Sequence, residues 1–420
     1  MGSCISKPKT RSTNDGVRTP ITEAKIHKTA SIDTTSTATQ PAGLYITGLA
    51  REYPPYRGTQ QDFEQWVTKI LGDKVNEPVI QKLLHVNRNS GITARPYISD
   101  WRDCPVGLNP LPIDRLCESF QTIGVDLAVR ACEKALTEAK AQASDITHTV
   151  GVTCSDTGNP GYDLFVAQKL GLHPSVERTL LAGVGCAGGL AALRQAANLA
   201  SAATQKGQPA RVLVFACEIC SNFLQGELDC ALKGSDVRVA PALFGDGAAA
   251  LVVCNGLALD ETAKPIYDLL DWGHMVVPGT AQCLNMLSFP TGFLTTLTKE
   301  VPKHSVAAIT PMWHKLRHSI DFRNQKGELE DVKPSDCDWA IHPGGGAILS
   351  GAQSTLGISE DHIRASWEIY RNFGNTSSPT VLIVLDQLRR MGEGRDNVVA
   401  TSFGPGMSIE MFTMRRWRAS

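Results

Sequence analysis

The feature that most constrains this chain is an ordered echo between its two halves. In the first half an apolar run ends near Cys154, and Cys186 follows in the turn Gly183-Val184-Gly185-Cys186-Ala187-Gly188-Gly189. Phe244-Gly245-Asp246-Gly247 then precedes another apolar run. In the second half a run ends at His342, Asn375 follows after nearly the same interval, and Phe403-Gly404-Pro405-Gly406 precedes the closing run. The same order of signals met twice points to one duplicated α/β unit. Corresponding edges of two copies related by a pseudo-twofold face one another. Cys186, His342 and Asn375 are therefore expected to share one pocket.

Between these landmarks short apolar runs alternate with Ala-rich stretches, the pattern of an α/β fold. Residues 125–141, 190–203 and 379–390 read as helices, and 149–154, 178–182, 211–217 and 248–254 as strands. At 420 residues the chain exceeds a usual single domain. The expected divisions are a tail over 1–40, a first half over 41–258 and a second over 259–420. A hydrophobic share of 42% excludes a mostly disordered chain. A formal net charge of −1 supplies no basic field for nucleic acid. No apolar run is long enough to span a membrane. The 12 Cys are scattered without zinc spacing, so no metal site is expected. Cys217 and Cys220 form a lone C-x-x-C that reads as two half-buried thiols. The polar N-terminus carries no secretory signal, which predicts a cytoplasmic protein with free thiols.

The tail is a different material. Residues 1–40 hold 14 Ser or Thr and no aromatic residue, so they cannot bury enough surface to offset their ordering entropy and are expected to be disordered. Met1-Gly2-Ser3-Cys4-Ile5-Ser6 fits the pattern for N-myristoylation of Gly2. Cys4 is a palmitoylation candidate, and Lys7, Lys9 and Arg11 favour an anionic leaflet. One acyl chain binds a membrane only marginally, so the expected anchor needs these neighbours.

The chemistry of the three landmarks follows from their settings. Cys186 lies in a Gly-rich turn that opens a helix, where amide groups and the macrodipole favour a thiolate. An imidazole nearby would lower the thiol further, which predicts an acyl-accepting nucleophile. His342 ends a strand before Pro343-Gly344-Gly345-Gly346, a place for a ligand rather than a core. Asn375 is either a helix N-cap or an amide donor completing an oxyanion hole with His342. A thiolate beside two donors suits decarboxylative condensation: the donors stabilise the enolate left when a malonyl thioester loses CO2. That reaction requires no metal and no bound redox cofactor. The residues alone leave a hydrolytic Cys-His-Asn triad open.

The stretches GVGCAGGL, FGDGAAALVV, AIHPGGGAIL, FGNTSSPTVLIVLD and SFGPGMSIE, in this order over about residues 42–417, resemble the type III polyketide synthases. These are the chalcone synthase-like branch of the thiolase superfamily, and the likeness is nearest to fungal members. The resemblance implies a thiolase-like αβαβα five-layer α/β fold built from two duplicated halves. It also implies a homodimer that takes CoA thioesters directly. Carried over by motif, Cys186 is the nucleophile and His342 and Asn375 are the decarboxylation donors. Gly344, Gly345 and Gly346 belong to the substrate-binding loop, and Gly404, Pro405 and Gly406 scaffold the cyclisation pocket.

Some positions depart from the plant pattern. Phe223, or Leu224, takes the place of one aromatic gatekeeper. Thr295 stands where a second plant gatekeeper is Phe, counting back from Val301-Pro302, which implies a roomier cavity. Lys82 and Arg88 are the candidates for the CoA phosphates, while His85 and Asn89 stand where plant members are basic. Fungal members of this kind often extend long fatty acyl-CoA starters with malonyl-CoA to alkylresorcinols, alkylresorcylic acids or alkylpyrones. A lipid-anchored tail would suit such substrates. The competing reading is a β-ketoacyl-carrier-protein synthase III-like enzyme, which stops after one condensation. A 3-hydroxy-3-methylglutaryl-CoA synthase needs a Glu upstream of its Cys, and 153–161 offers only Asp156.

Overall fold

The computed structural model describes residues 43–234, 237–259, 264–323 and 327–418. The expected tail and its lipidation candidates, Gly2 and Cys4, lie outside the described residues. The strands of the first half are β1 (Leu44–Glu52), β2 (Tyr56–Thr59), β3 (Ala94–Tyr97), β4 (His148–Val152), β5 (Glu177–Leu181), β6 (Arg211–Glu218) and β7 (Gly247–Asn255). Those of the second half are β8 (Tyr267–Val276), β9 (Leu284–Phe289), β10 (Gly292–Leu297), β11 (Cys337–Ile341), β12 (Asn397–Gly404) and β13 (Ser408–Arg416). Helices Val125–Ala139, Gly188–Gln205 and Thr380–Arg390 stand where the Ala-rich and apolar periodicity places them.

The nine-stranded sheet runs β11-β12-β13-β8-β1-β7-β6-β4-β5. Its two arms repeat one topology. β4 lies parallel to β6, which is antiparallel to β7, and β7 is antiparallel to β1. β11 lies parallel to β12, which is antiparallel to β13, and β13 is antiparallel to β8. The arms join where β1 meets β8 over Leu44↔Leu269, Tyr45↔Asp268 and Ile46↔Tyr267. Among the described residues β5 has no counterpart strand in the second arm; that interval of chain ends at Asn375 instead.

Packing turns the two arms into separate layers. Helices Gly188–Gln205 and Thr380–Arg390 pack with strands of both arms in one apolar core. Ala191, Ala192, Ala196, Ala197 and Ala200 are all buried on the first of these helices, and their small side chains let it lie close to its neighbours. A Leu at such a site would overpack, at a cost of about 1–3 kcal/mol. Helix Val125–Ala139 covers the other face of β1, β6 and β7. Helices Val301–Leu316 and Gly346–Leu356 cover β11, β12 and β13. The layers thus read helix, sheet, helix, sheet, helix. β7 is buried along its whole length, which is why Gly247–Asn255 reads as a continuous apolar run rather than an alternating one. Cys217 and Cys220 are fully buried rather than half-buried, and Cys217 donates to the Gly124 carbonyl at 3.3 Å.

Candidate active site

Three strand or helix ends deliver the landmark side chains. Cys186 occupies a single 3-10 turn, Gly185–Ala187, between β5 and helix Gly188–Gln205. His342 follows β11, and its N–H donates to the Thr401 carbonyl of β12 at 2.8 Å. Asn375 follows helix Arg364–Phe373 and pairs with Phe244 in an isolated parallel β-bridge. The Asn375 N–H donates to the Leu243 carbonyl at 2.9 Å, and the Gly245 N–H donates to the Asn375 carbonyl at 3.0 Å. The Phe-Gly turn of the first half therefore holds the Asn of the second.

The amide of Asn375 has a determined orientation. Its Oδ1 accepts from the Ser377 N–H at 2.8 Å and from Thr380 Oγ1 at 3.3 Å. Its Nδ2 is left to donate toward Cys186 Sγ at 4.0 Å. Asn375 is not the helix N-cap; Pro379 is. Ser377 has φ +60°, a left-handed conformation uncommon outside Gly. This bend sets its hydroxyl between two sulfurs, accepting from Cys186 at 3.5 Å and lying 3.4 Å from Cys154.

His342 is 1% exposed, and neither ring nitrogen has a hydrogen-bond partner among the described residues. Burial pushes its imidazole down to about 3, so it is neutral. Gly344 stands against the ring, where a β-carbon would lie 3.4 Å from Nε2. A buried imidazole without a protein partner is costly unless a ligand or water completes it.

Electrostatics corrects the expected low thiol. Burial, with the Glu218 carboxyl adding to it, pushes Cys186 up to about 11, against its hydrogen bonds with Ser377 and Asn375, which lower it. The turn and its amides do not outweigh desolvation. The resting pair is a neutral thiol and a neutral imidazole. Each resists charge where it stands, and no hydrogen bond joins the ring to the sulfur among the described residues.

Behind the sulfur lies a carboxyl that sequence reading missed. Glu218, at the end of β6, is fully buried. It accepts from Ser155 Oγ at 2.7 Å, Thr153 Oγ1 at 3.1 Å, the Cys154 N–H at 3.1 Å and the Ser378 hydroxyl. Burial raises it above the usual carboxylate range. The contact with Ser378 ties β6 of the first half to the loop that carries Asn375. A Glu closing the apolar run Val212–Cys217 was the available signal.

A cavity of about 440 Å³ opens on the Cys186 sulfur, lined by Cys186, Cys154, Ser377, Phe223, Thr295, Pro405 and Gly406 among others. His342 and Asn375 are not among its lining residues; Asn375 reaches it through Cys186 and Ser377. The hairpin β9–β10 forms one wall. Phe293 and Thr295 of β10, and Leu284, Met286 and Ser288 of β9, line it at the two-residue period of one strand face, and Asn285 joins them near the start of β9. Thr295 does lack the aromatic ring of the plant pattern. Phe293 supplies one from the same face, T-shaped to Phe223 at 5.8 Å, so this end is not simply enlarged. Leu224 is buried in another core and does not line the cavity.

Other expected residues sit apart from the cavity. Gly345 and Gly346 open helix Gly346–Leu356, and none of Gly344, Gly345 and Gly346 lines the cavity. Lys82 and Arg88 lie on helix Pro78–Asn89; Lys82 is exposed, and Arg88 grips Glu64 through two bonds of 2.9 Å. Asn89 donates to the His85 carbonyl at 2.8 Å. Gly404 ends β12, Pro405 follows it, and both press on the Cys186 turn.

Comparison with known proteins agrees with this arrangement. Residues 113–256 match the N-terminal domain of chalcone and stilbene synthases, and residues 272–417 match the C-terminal domain. The type III polyketide synthase pspB of Penicillium soppii is 45% identical over 388 residues, covering 90% of this chain and 97% of that one. The acylalkylpyrone synthase csyB of Aspergillus oryzae is 33% identical over 377 residues, covering 88% and 94%. The crystal structure of a type III pentaketide synthase from Neurospora crassa superposes with a TM-score of 0.83 at 39% identity, over 89% of this chain and 100% of the other. The chain belongs to the chalcone and stilbene synthase family and is a type III polyketide synthase, an acyltransferase with the thiolase-like fold.

Proposed function

We propose that Cys186 carries the growing acyl chain and that His342 and Asn375 drive malonyl decarboxylation beside it. The proton of the thiol passes to His342, the sulfur attacks the carbonyl of an acyl-CoA starter, and the expelled CoA sulfur takes the proton back from the ring. The starter now sits on sulfur as a thioester. Malonyl-CoA then binds with its thioester oxygen between the two nitrogen donors. Its carbon–carboxylate bond breaks, CO2 leaves, and the electron pair passes into an enolate whose oxygen the donors stabilise. The enolate carbon attacks the Cys186 thioester, a carbon–carbon bond forms, and the sulfur departs with the electron pair. No electrons enter or leave, so the cycle calls for no redox cofactor. The extended chain returns to sulfur and the cycle repeats until the chain closes on itself.

One observation carries this reading: an amide whose oxygen is tied by Ser377 and Thr380, so that its Nδ2 faces Cys186 Sγ at 4.0 Å. The starter class is a long-chain fatty acyl-CoA and the product an alkylresorcinol, alkylresorcylic acid or alkylpyrone. The cavity volume and the relatives of fungal origin support this. Incubation with malonyl-CoA and acyl-CoAs of graded length, read by mass spectrometry, tests it; turnover of aromatic starters alone would remove it. A synthase of the single-condensation kind would demand malonyl on a carrier protein and yield one extension only.

A homodimer belongs to the same reading. β5 is the last strand of the sheet, and Leu180 on it is 37% exposed, so its outer edge offers a second copy a place to pair. Lys82 remains the proposed contact for CoA phosphate. A cytoplasmic enzyme held at a membrane surface by Gly2 and Cys4 rests on the sequence pattern alone. No described helix is long and apolar enough to cross a membrane. An unchanged membrane fraction in Gly2→Ala would end the anchor.

A further inference from the structure

The hairpin β9–β10 stands apart from the main sheet as a two-stranded ribbon. Such a ribbon is marginal on its own, so its position depends on what grips it. Thr295 faces Met286 across the ladder, and its own N–H and carbonyl point to the free edge. There Glu227 Oε1 accepts the Thr295 N–H at 2.6 Å, and Arg238 Nη1 donates to the Thr295 carbonyl at 3.1 Å. Arg238 Nη1 also lies 3.8 Å from Glu227 Oε2, an oxygen with no hydrogen-bond partner among the described residues. One acid and one base thus satisfy both peptide groups of a strand residue, as a neighbouring strand would.

The burial of this pair is costly enough to call for a purpose. The Glu227 side chain is 1% exposed, with only one of its oxygens satisfied. A buried carboxylate of this kind is a weak source of stability, since apolar residues in its place are often as good. What the pair does supply is register. Next to it, a β-carbon on Gly226 would meet the Thr291 carbonyl at 2.7 Å, so the hairpin turn rests on the helix backbone itself. The face held in this way is the cavity wall of Phe293, Thr295, Met286 and Ser288.

We propose that Glu227 and Arg238 are positioning residues that clamp the free edge of β10 and thereby set the length and width of the acyl chain the cavity admits. The proposal rests on the reading that this cavity receives the acyl chain. Neither residue touches the reacting atoms.

The test compares Glu227→Ala, Glu227→Gln and Arg238→Met with the wild-type enzyme. Malonyl-CoA decarboxylation should stay within about twofold in all three, while the ratio of kcat/KM between the longest and shortest accepted acyl-CoA changes about tenfold or more in Glu227→Ala and Arg238→Met. Glu227→Gln keeps an oxygen for the Thr295 N–H and should restore much of the wild-type profile. Amide hydrogen exchange over 284–297 should quicken in Glu227→Ala and Arg238→Met. Unchanged exchange and an unchanged length profile in the variants that fold would overturn the clamp; if Glu227→Ala does not fold, Arg238→Met and Glu227→Gln decide it. A wild-type enzyme that condenses no acyl-CoA of any length would instead overturn the functional reading, and the exchange measurement would still judge the clamp.

Discussion

Pro405 packs on Gly185 so closely that a β-carbon on Gly185 would stand 2.5 Å from Pro405 Cδ. The Gly-Pro-Gly turn of the second half thus presses on the residue before the nucleophile of the first. Gly185 also has φ +47°, a left-handed conformation that costs a side-chain-bearing residue about 1–2 kcal/mol. Gly404 is as confined: a β-carbon there would lie 2.4 Å from the Val184 carbonyl.

Gly185→Ala should therefore lose both stability and activity. Backbone strain and overpacking together predict a loss of about 2–4 kcal/mol, read from chemical denaturation. Condensation should fall further than stability alone explains, because the collision displaces Cys186. A variant with wild-type stability and turnover would show that the turn is not confined as described.

The donor role of Asn375 is best probed with Asn375→Asp. The new side chain keeps an oxygen for the Ser377 N–H, so the loop retains its shape, but an acceptor replaces the donor facing sulfur. Release of acetyl-CoA from malonyl-CoA should drop about 10²–10³-fold, the usual effect of removing one oxyanion donor. Cys186→Ala should abolish condensation while leaving decarboxylation measurable. Full turnover by Asn375→Asp would remove Asn375 from the proposed mechanism.

Glu218 offers a test of how the halves are tied. Glu218→Leu would leave Ser155, Ser378 and the Cys154 N–H without their acceptor in a buried site. Each stranded donor costs about 1–3 kcal/mol, so a loss of several kcal/mol is expected in chemical denaturation. Glu218→Gln keeps one acceptor oxygen and should lose less. Equal stability of the Leu variant and wild type would show that the network is not holding the loop.

The landmarks were legible because each carries local punctuation. Gly-rich turns flank Cys186, His342 and Asn375, and strand-length apolar runs lead to Cys186 and His342, so order alone reported the duplication. The residues that complete the site carry no such signature. Glu218, Ser377 and Cys154 meet only through folding, and nothing in their spacing announces a shared hydroxyl. The hairpin β9–β10 was equally hidden, because its lining residues alternate over only six positions on each strand. Thr295 could be named from motif position, but its compensation by Phe293 required the strand face. The raised thiol is not legible either, because a sequence displays the helix start and the imidazole but not the depth of burial.

Depth of burial also governs the pH behaviour of Cys186. Thiolate is the reactive form, so alkylation by iodoacetamide follows its population. Burial pushes the thiol above its ordinary value of 9.0, up to about 11. A raised thiol value means the anion appears only as pH rises; below that value each unit of pH changes its population about tenfold. In His342→Ala no imidazole takes the proton, so the alkylation rate should climb through pH 8–10 and bend near 11. The proposed transfer of the thiol proton to His342 predicts a wild-type curve that bends at lower pH, with alkylation at pH 7 at least about tenfold faster than in His342→Ala. Asn375→Asp should shift the wild-type curve upward, since a carboxylate beside sulfur disfavours a second negative charge. Coincident curves for wild type and His342→Ala would mean that the imidazole does not receive the thiol proton, and thiol activation would then have to come from the bound substrate.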